Sequence, residues 1–211
     1  MRHNSCTVIV LASPVPPEVL ASVGRSMNVT LVRPAGPSGA DGADGAEGAE
    51  GAGGLASAAD ALRRAASATS PYALVTADPL AAVADGWRGM WDLAHPQGPA
   101  RFEQEAAAAL AAWRSGQFEL PDYYLVTGSE TRDEGEQDFY LGPLRAARSH
   151  RVAFVPAAEP AEQAAGVLAA LGSLGHGPWW PGLDELIQTA RTFYPGRLSE
   201  TAPAAHRVAA S

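Results

Sequence analysis

Five short apolar runs recur along the chain, each followed by a longer stretch of helical character, and no other feature restricts its architecture as much. The runs are CTVIVLA (6–12), NVTLVRP (28–34), YALVTADP (72–79), PDYYLVTG (121–128) and HRVAFVPA (150–157). They are near-continuous in apolar residues, rich in Val and Tyr, and bounded by Pro or Gly, as suits strands covered on both faces. Between them PPEVLASVGRSM (16–27) places Val19, Leu20 and Val23 on one face behind prolines that a first helical turn tolerates. GLASAADALRRAASAT (54–69) carries Leu55, Ala59, Leu62 and Ala66 at helical spacing, and PLAAVADGWRGMWDLA (79–94) carries Val83, Trp87, Met90 and Trp91. RFEQEAAAALAAWRSG (101–116) is the clearest helix, with a Phe102, Ala106, Leu110, Trp113 stripe and Gly116 as C-cap. FYLGPLRAARS (139–149), EPAEQAAGVLAALGSL (159–174) and LDELIQTARTFY (183–194) read as further helices, and GHGPWWPG (175–182) as an irregular aromatic turn. This alternation predicts an α/β fold: a single three-layer domain with an open, mostly parallel five-stranded sheet. The helix over 101–116 is an insertion before the fourth strand, and 183–194 adds a C-terminal helix.

The stretch GPSGADGADGAEGAEGAGG (36–54) has glycine at every third position from Gly36 to Gly51. Collagen needs long Gly-X-Y runs with abundant proline. Here only Pro37 falls within the triplets, and Asp41, Asp44, Glu47 and Glu50 repel one another. Such a composition buries nothing, so residues 36–54 are expected to form a disordered acidic loop. The strand–helix–strand fragment before it cannot stand alone, which makes the stretch a loop inside one domain rather than a linker. The expected domain spans 1–198, with a disordered tail over 199–211. A docking tether for a basic partner is the functional alternative for the loop.

A chain of 211 residues fits one domain. No apolar run is long enough to span a bilayer. The start, MRHNSCTVIVLASPVPP, faintly resembles a signal peptide, but its apolar run is short and closed by prolines and reads better as a first strand. Cys6 is the only cysteine, so no disulfide framework exists and the expected compartment is the cytoplasm. All fifteen basic residues are arginine. With the excess of Ala and Gly this suggests a GC-rich bacterial genome, and it removes every mechanism that needs a lysine.

The order of elements over residues 6–174 resembles the flavodoxin-like (Rossmann-like) architecture. The segment ALRRAASATSPYALVTADP is similar to the second helix and third strand of response-regulator receiver domains, in which an Asp ends the strand; Asp78 takes that place. Receivers carry an acidic pair after the first strand and a lysine after the fifth. Here Ala12-Ser13-Pro14 and Pro156-Ala157 stand there, so phosphoryl transfer of that type is not implied.

Ligands of open parallel sheets sit outside the carboxyl ends of the strands. Those ends nominate Ser13, Arg33, Thr76, Asp78, Thr127, Ser129 and Glu130. Asp78 before Pro79 also suits a helix N-cap, as does Ser13. The Gly-rich loop and the stretch 130–138 each carry a net charge of −4, so the rest of the chain sums to zero. Both follow strands and are expected on one rim, which would repel nucleic acid and suit a divalent cation or a basic protein. Nothing nominates a bound cofactor or metal. ETRDEGEQD lacks the EF-hand pattern because Arg132 interrupts it, and no phosphate-binding glycine loop, H-E-x-x-H or G-x-S-x-G is present. Trp179, Trp180 and Tyr194 form a candidate partner surface, provided that the tryptophans are exposed together.

The expected function is accordingly a non-enzymatic binding or regulatory domain, with no nucleic acid and no membrane among its partners. The alternative is an enzyme whose strand-end site uses Asp78 or Glu130 as acid, base or metal ligand. A third reading is a scaffold that dimerises through the C-terminal aromatic segment.

Overall fold

A computed structural model describes residues 6–34, 50–91, 96–128 and 137–195. The five apolar runs are strands: β1 (Thr7–Leu11), β2 (Val29–Val32), β3 (Tyr72–Val75), β4 (Tyr123–Thr127) and β5 (Val152–Val155). All pair in parallel in the order β2-β3-β1-β4-β5. The three-layer α/β class is therefore as expected. The strand order is a refinement: β3 lies between β2 and β1, whereas the flavodoxin-like order puts β1 between β2 and β3.

The helices are α1 (Pro17–Val23), α2 (Glu50–Ala66), α3 (Ala81–Met90), α4 (Gly98–Arg114), α5 (Arg145–Ala147), α6 (Pro160–Gly172) and α7 (Leu183–Thr192). Helices α1 and α6 cover one face, packing Val19, Val23, Val167 and Leu171 on Ile9, Leu11, Leu74 and Leu125. Helices α2, α3, α4 and α7 cover the other, over Val8, Val10, Ala73, Val75, Tyr124 and Val126. Connections that travel toward the β2 edge thus lie on one face and those that travel toward β5 on the other, which a single crossover hand produces.

Helices α3 and α4 form a hairpin at unusually close range. A Cβ on Gly98 would stand 1.9 Å from the Gly89 carbonyl oxygen, and one on Gly86 2.9 Å from the Phe102 Cα. Trp87 is buried between this hairpin and α7, donating from Nε1 to the Ala190 carbonyl at 2.8 Å and meeting Phe139 edge-on at 5.9 Å.

Two local expectations change. Helix α2 begins at Glu50, so residues 50–54 are helical rather than part of a disordered loop; residues 36–49 and the tail 199–211 lie outside the described residues. The stretch expected as one helix over 139–149 is helical through Ala147 but not a regular α-helix: a π-helical turn (Tyr140–Leu144) runs into α5, and a tight turn over Ser149–Arg151 follows. Pro143 supplies no backbone donor, and the wider turn suits that loss. Gly142 sits against the Phe193 ring, where a Cβ would come within 2.8 Å of Cε1.

Candidate functional site at the strand ends

Strand order decides where a crevice opens. The connection after β1 travels toward β2, and the one after β4 travels toward β5, yet β1 and β4 are neighbours. Their carboxyl ends are therefore the switch point at which ligands of open α/β sheets bind. Parallel register pairs Leu11 with Leu125, and the Ala12 N–H continues the ladder to the Leu125 carbonyl at 3.0 Å. Ser13 and Thr127 extend this register by further steps at the same rim.

The third strand contributes Asp78. It does not cap α3, whose first turn has no side-chain cap. Its Oδ1 instead accepts from the Leu80 N–H at 2.9 Å, closing a tight turn, and from the Tyr124 hydroxyl at 3.3 Å. Its Oδ2 accepts a short hydrogen bond from the Tyr140 hydroxyl. Burial pushes the Asp78 carboxyl up from 3.8 to about 6, against the pull of the three donors, Tyr140 first. Tyr124 is raised well above its ordinary range, by burial and then by the neighbouring Asp78 charge. The two phenol rings lie 5.6 Å apart.

Polar groups at this rim are not all satisfied. Ser13 Oγ, Thr127 Oγ1 and Gln137 Oε1 are buried without a hydrogen-bond partner. Thr127 is fully buried and Gln137 only 3% exposed. The other end of each amide at the rim is anchored: Gln137 Nε2 donates to the Thr127 carbonyl, and Gln163 Nε2 donates to the Gly128 carbonyl at 2.8 Å. Gly128 is required here, because a Cβ would stand 2.3 Å from the Ala157 nitrogen. An unmade hydrogen bond at a buried polar group costs about 1–3 kcal/mol, so three at one rim are a substantial open demand.

A cavity of about 180 Å³ opens after β1, lined by Ala12, Pro14, Ala84, Arg88 and Tyr140 among others; Ser13, Thr127 and Gln137 are not among its lining residues. Asp85, another lining residue, pairs with Arg88 at 2.5 Å and Arg101 at 2.6 Å.

Of the residues nominated from sequence, Ser13, Asp78 and Thr127 meet at this rim. Thr76 is partly exposed above β3, its N–H bonded to the Val32 carbonyl at 3.2 Å. Arg33 is exposed near the β2 edge, separated from β4 by β3 and β1, and its carbonyl accepts from Arg64 at 2.7 Å. Ser129, Glu130 and most of the acidic stretch lie outside the described residues. Tyr124, Tyr140 and Gln137 were not nominated. A tyrosine inside a fully buried strand does carry a signal, since its hydroxyl must find a partner. Tyr140 and Gln137 had none, because their partners lie 62 and 10 residues away.

The aromatic pair separates. Trp180 is buried, 5% exposed, and donates from Nε1 to the Pro121 carbonyl at 2.7 Å. Trp179 is 43% exposed and Tyr194 60%, so the two tryptophans are not exposed together. Tyr194 meets Trp91 edge-on at 5.5 Å.

Among the described residues no cluster of three or more His, Cys, Asp or Glu could hold a metal ion, and no helix is long and apolar enough to cross a membrane. Compared with family models, with curated proteins and with solved structures, the chain matches none.

Proposed function

We propose that this chain is a small-molecule-binding α/β domain whose ligand sits at the carboxyl ends of β1, β3 and β4. The observation that carries this reading is the set of three buried, partnerless polar atoms at one rim, Ser13 Oγ, Thr127 Oγ1 and Gln137 Oε1. Gln137 Oε1 can only accept, and the two hydroxyls can accept or donate. A neutral ligand rich in O–H or N–H groups answers that demand. A phosphate does not, since it brings acceptors to an acceptor and meets no lysine and no glycine cradle.

The enzymatic alternative draws on Asp78. A carboxyl near pH 6 beside a phenol has the proton affinity of a general base. Its oxygens, however, already accept from Leu80, Tyr124 and Tyr140, which favours a structural and binding role over proton transfer.

The test is thermal unfolding against a panel of polyols, nucleosides, nicotinamides, flavins, S-adenosylmethionine and divalent cations. A ligand at a hundred times its Kd adds about 2.7 kcal/mol, raising the midpoint of a domain this size by ~5–10 °C. A neutral hydroxyl- or amine-bearing ligand whose shift is lost in Thr127→Val supports the proposal. Turnover of that ligand, abolished in Asp78→Asn, would move the assignment to an enzyme. A flat panel would overturn the small-molecule reading.

A further inference from the structure

The ladder between β1 and β4 stops at a proline, and what replaces it marks the strand-end rim. The Ala12 N–H donates to the Leu125 carbonyl at 3.0 Å, with Leu11 opposite Leu125. Two residues on, the same register sets position 14 to donate to the Thr127 carbonyl. That position is Pro14, which has no N–H. Thr127 is fully buried, so its carbonyl needs a partner from elsewhere in the fold.

Gln137 supplies it, donating from Nε2 to the Thr127 carbonyl. A carbonyl oxygen only accepts, so this bond fixes which way the amide points. The nitrogen is turned to Thr127, and Oε1 is left as a buried acceptor without a partner. Gln163 makes the same kind of bond one residue further along, from Nε2 to the Gly128 carbonyl at 2.8 Å. Two side-chain amides thus hold the end of β4 where the ladder has ended.

Residues next to these groups border open space. Pro14 directly follows Ser13, Tyr140 lies three residues after Gln137, and both line the cavity of about 180 Å³ after β1. The orphaned atoms of the rim are one strict acceptor, Gln137 Oε1, and two hydroxyls, Ser13 Oγ and Thr127 Oγ1, that accept or donate. Two donors and one acceptor from a ligand satisfy all three.

We propose that Gln137 is the specificity-determining residue of the strand-end site, and that it selects a ligand carrying an NH2 group next to an acceptor, as a primary carboxamide or an amino-heterocycle does. This inference rests on the small-molecule reading of the rim and names the chemical class of its ligand. One N–H of the ligand donates to Gln137 Oε1 and the other to a hydroxyl of Ser13 or Thr127. The adjacent carbonyl or ring nitrogen accepts from the remaining hydroxyl. The carboxylate or keto isostere of the same shape sets an acceptor against Gln137 Oε1, and a site built on a hydrogen bond rejects a ligand that cannot make it.

The experiment is a calorimetric titration of the full chain with three isosteric pairs: nicotinamide and nicotinate, benzamide and benzoate, adenosine and inosine. Each pair keeps its shape and exchanges an NH2 group for oxygen, and the last pair is neutral throughout, which separates donor pattern from charge. The expected result is that an amide or amino member binds at least about tenfold more tightly than its partner. Gln137→Lys still donates to the Thr127 carbonyl but offers the ligand no acceptor, so the preference should reverse toward the carboxylate members. Should that variant misfold, the preferences of the parent chain still decide. Equal affinity within every pair, preference for the acid or keto members, binding of simple polyols alone, or an unchanged preference in Gln137→Lys would each overturn the role of Gln137 and leave the small-molecule reading standing. Binding of none of these compounds would overturn both.

Discussion

Tyr140 donates a short hydrogen bond to the Asp78 carboxylate across 62 positions of sequence, tying the π-helical turn after β4 to the end of β3. The contact joins a group whose proton affinity burial has raised to one that partly restores its charge. Stability and the strand-end site are thereby linked to pH.

The sign follows from which state binds the proton more tightly. Folded Asp78 titrates near 6 and the unfolded residue near 3.8. Between those values the folded state holds more protons, so stability rises as pH falls through about 6 and levels off below about 4. The full difference is on the order of 2–3 kcal/mol. Asp78→Asn is expected to abolish this slope and to equal or exceed the parent's stability at pH 7.5. Denaturant midpoints from pH 4 to 8 measure it, and an unchanged slope in the variant would place the titration elsewhere.

Tyr140→Phe removes one donor to the carboxylate and leaves the burial. The Asp78 titration should then move further up, and stability at pH 7.5 should fall by about 1–2 kcal/mol, as expected when a hydrogen bond to a charged group is lost. The same denaturation series reads both effects. A midpoint that stays put would show that Tyr140 does not act on Asp78.

Thr127→Val replaces a buried, partnerless hydroxyl by a methyl of equal size. In the free protein this should be neutral or stabilising by up to about 1–2 kcal/mol, since no bond is lost. A loss above about 1 kcal/mol in chemical denaturation would show that the hydroxyl is already satisfied.

Trp180→Ala should cost about 3–5 kcal/mol, because it removes a buried ring and strands the Pro121 carbonyl. Trp179→Ala, at a half-exposed ring, should cost about 1 kcal/mol or less. Unfolding midpoints of the two variants test the contrast. A dimer interface read from Trp180 alone would confuse this core role with a surface one.

Gly98→Ala drives a methyl into the Gly89 carbonyl and must part α3 from α4, at a cost of about 2 kcal/mol or more. Gly54→Ala meets nothing within 4 Å inside α2 and should stabilise by up to about 1 kcal/mol. Thermal midpoints that move in opposite directions are the expected outcome.

By itself the sequence determined the element list and the fold class. Apolar runs such as Cys6–Ala12 and stripes such as Phe102, Ala106 and Trp113 are local patterns, and local patterns set strand and helix. It also nominated the strand ends as a candidate site, where Ser13, Asp78 and Thr127 stand, because a parallel sheet must place all its carboxyl ends on one rim. Only the tertiary structure decided the order β2-β3-β1-β4-β5, since the crossovers can run to several positions with the same local sequence. That order made β1 and β4 neighbours and so brought Ser13 and Thr127 together. The packing of the turn at Tyr140 over β4 decided that Asp78 is a buried, tyrosine-held carboxyl rather than a helix cap. It likewise divided Trp179 from Trp180, adjacent in sequence and alike in chemistry, into a surface and a core. Burial, orphaned hydroxyls and raised proton affinity are properties of neighbours, and those neighbours are set by contacts that close over tens of residues.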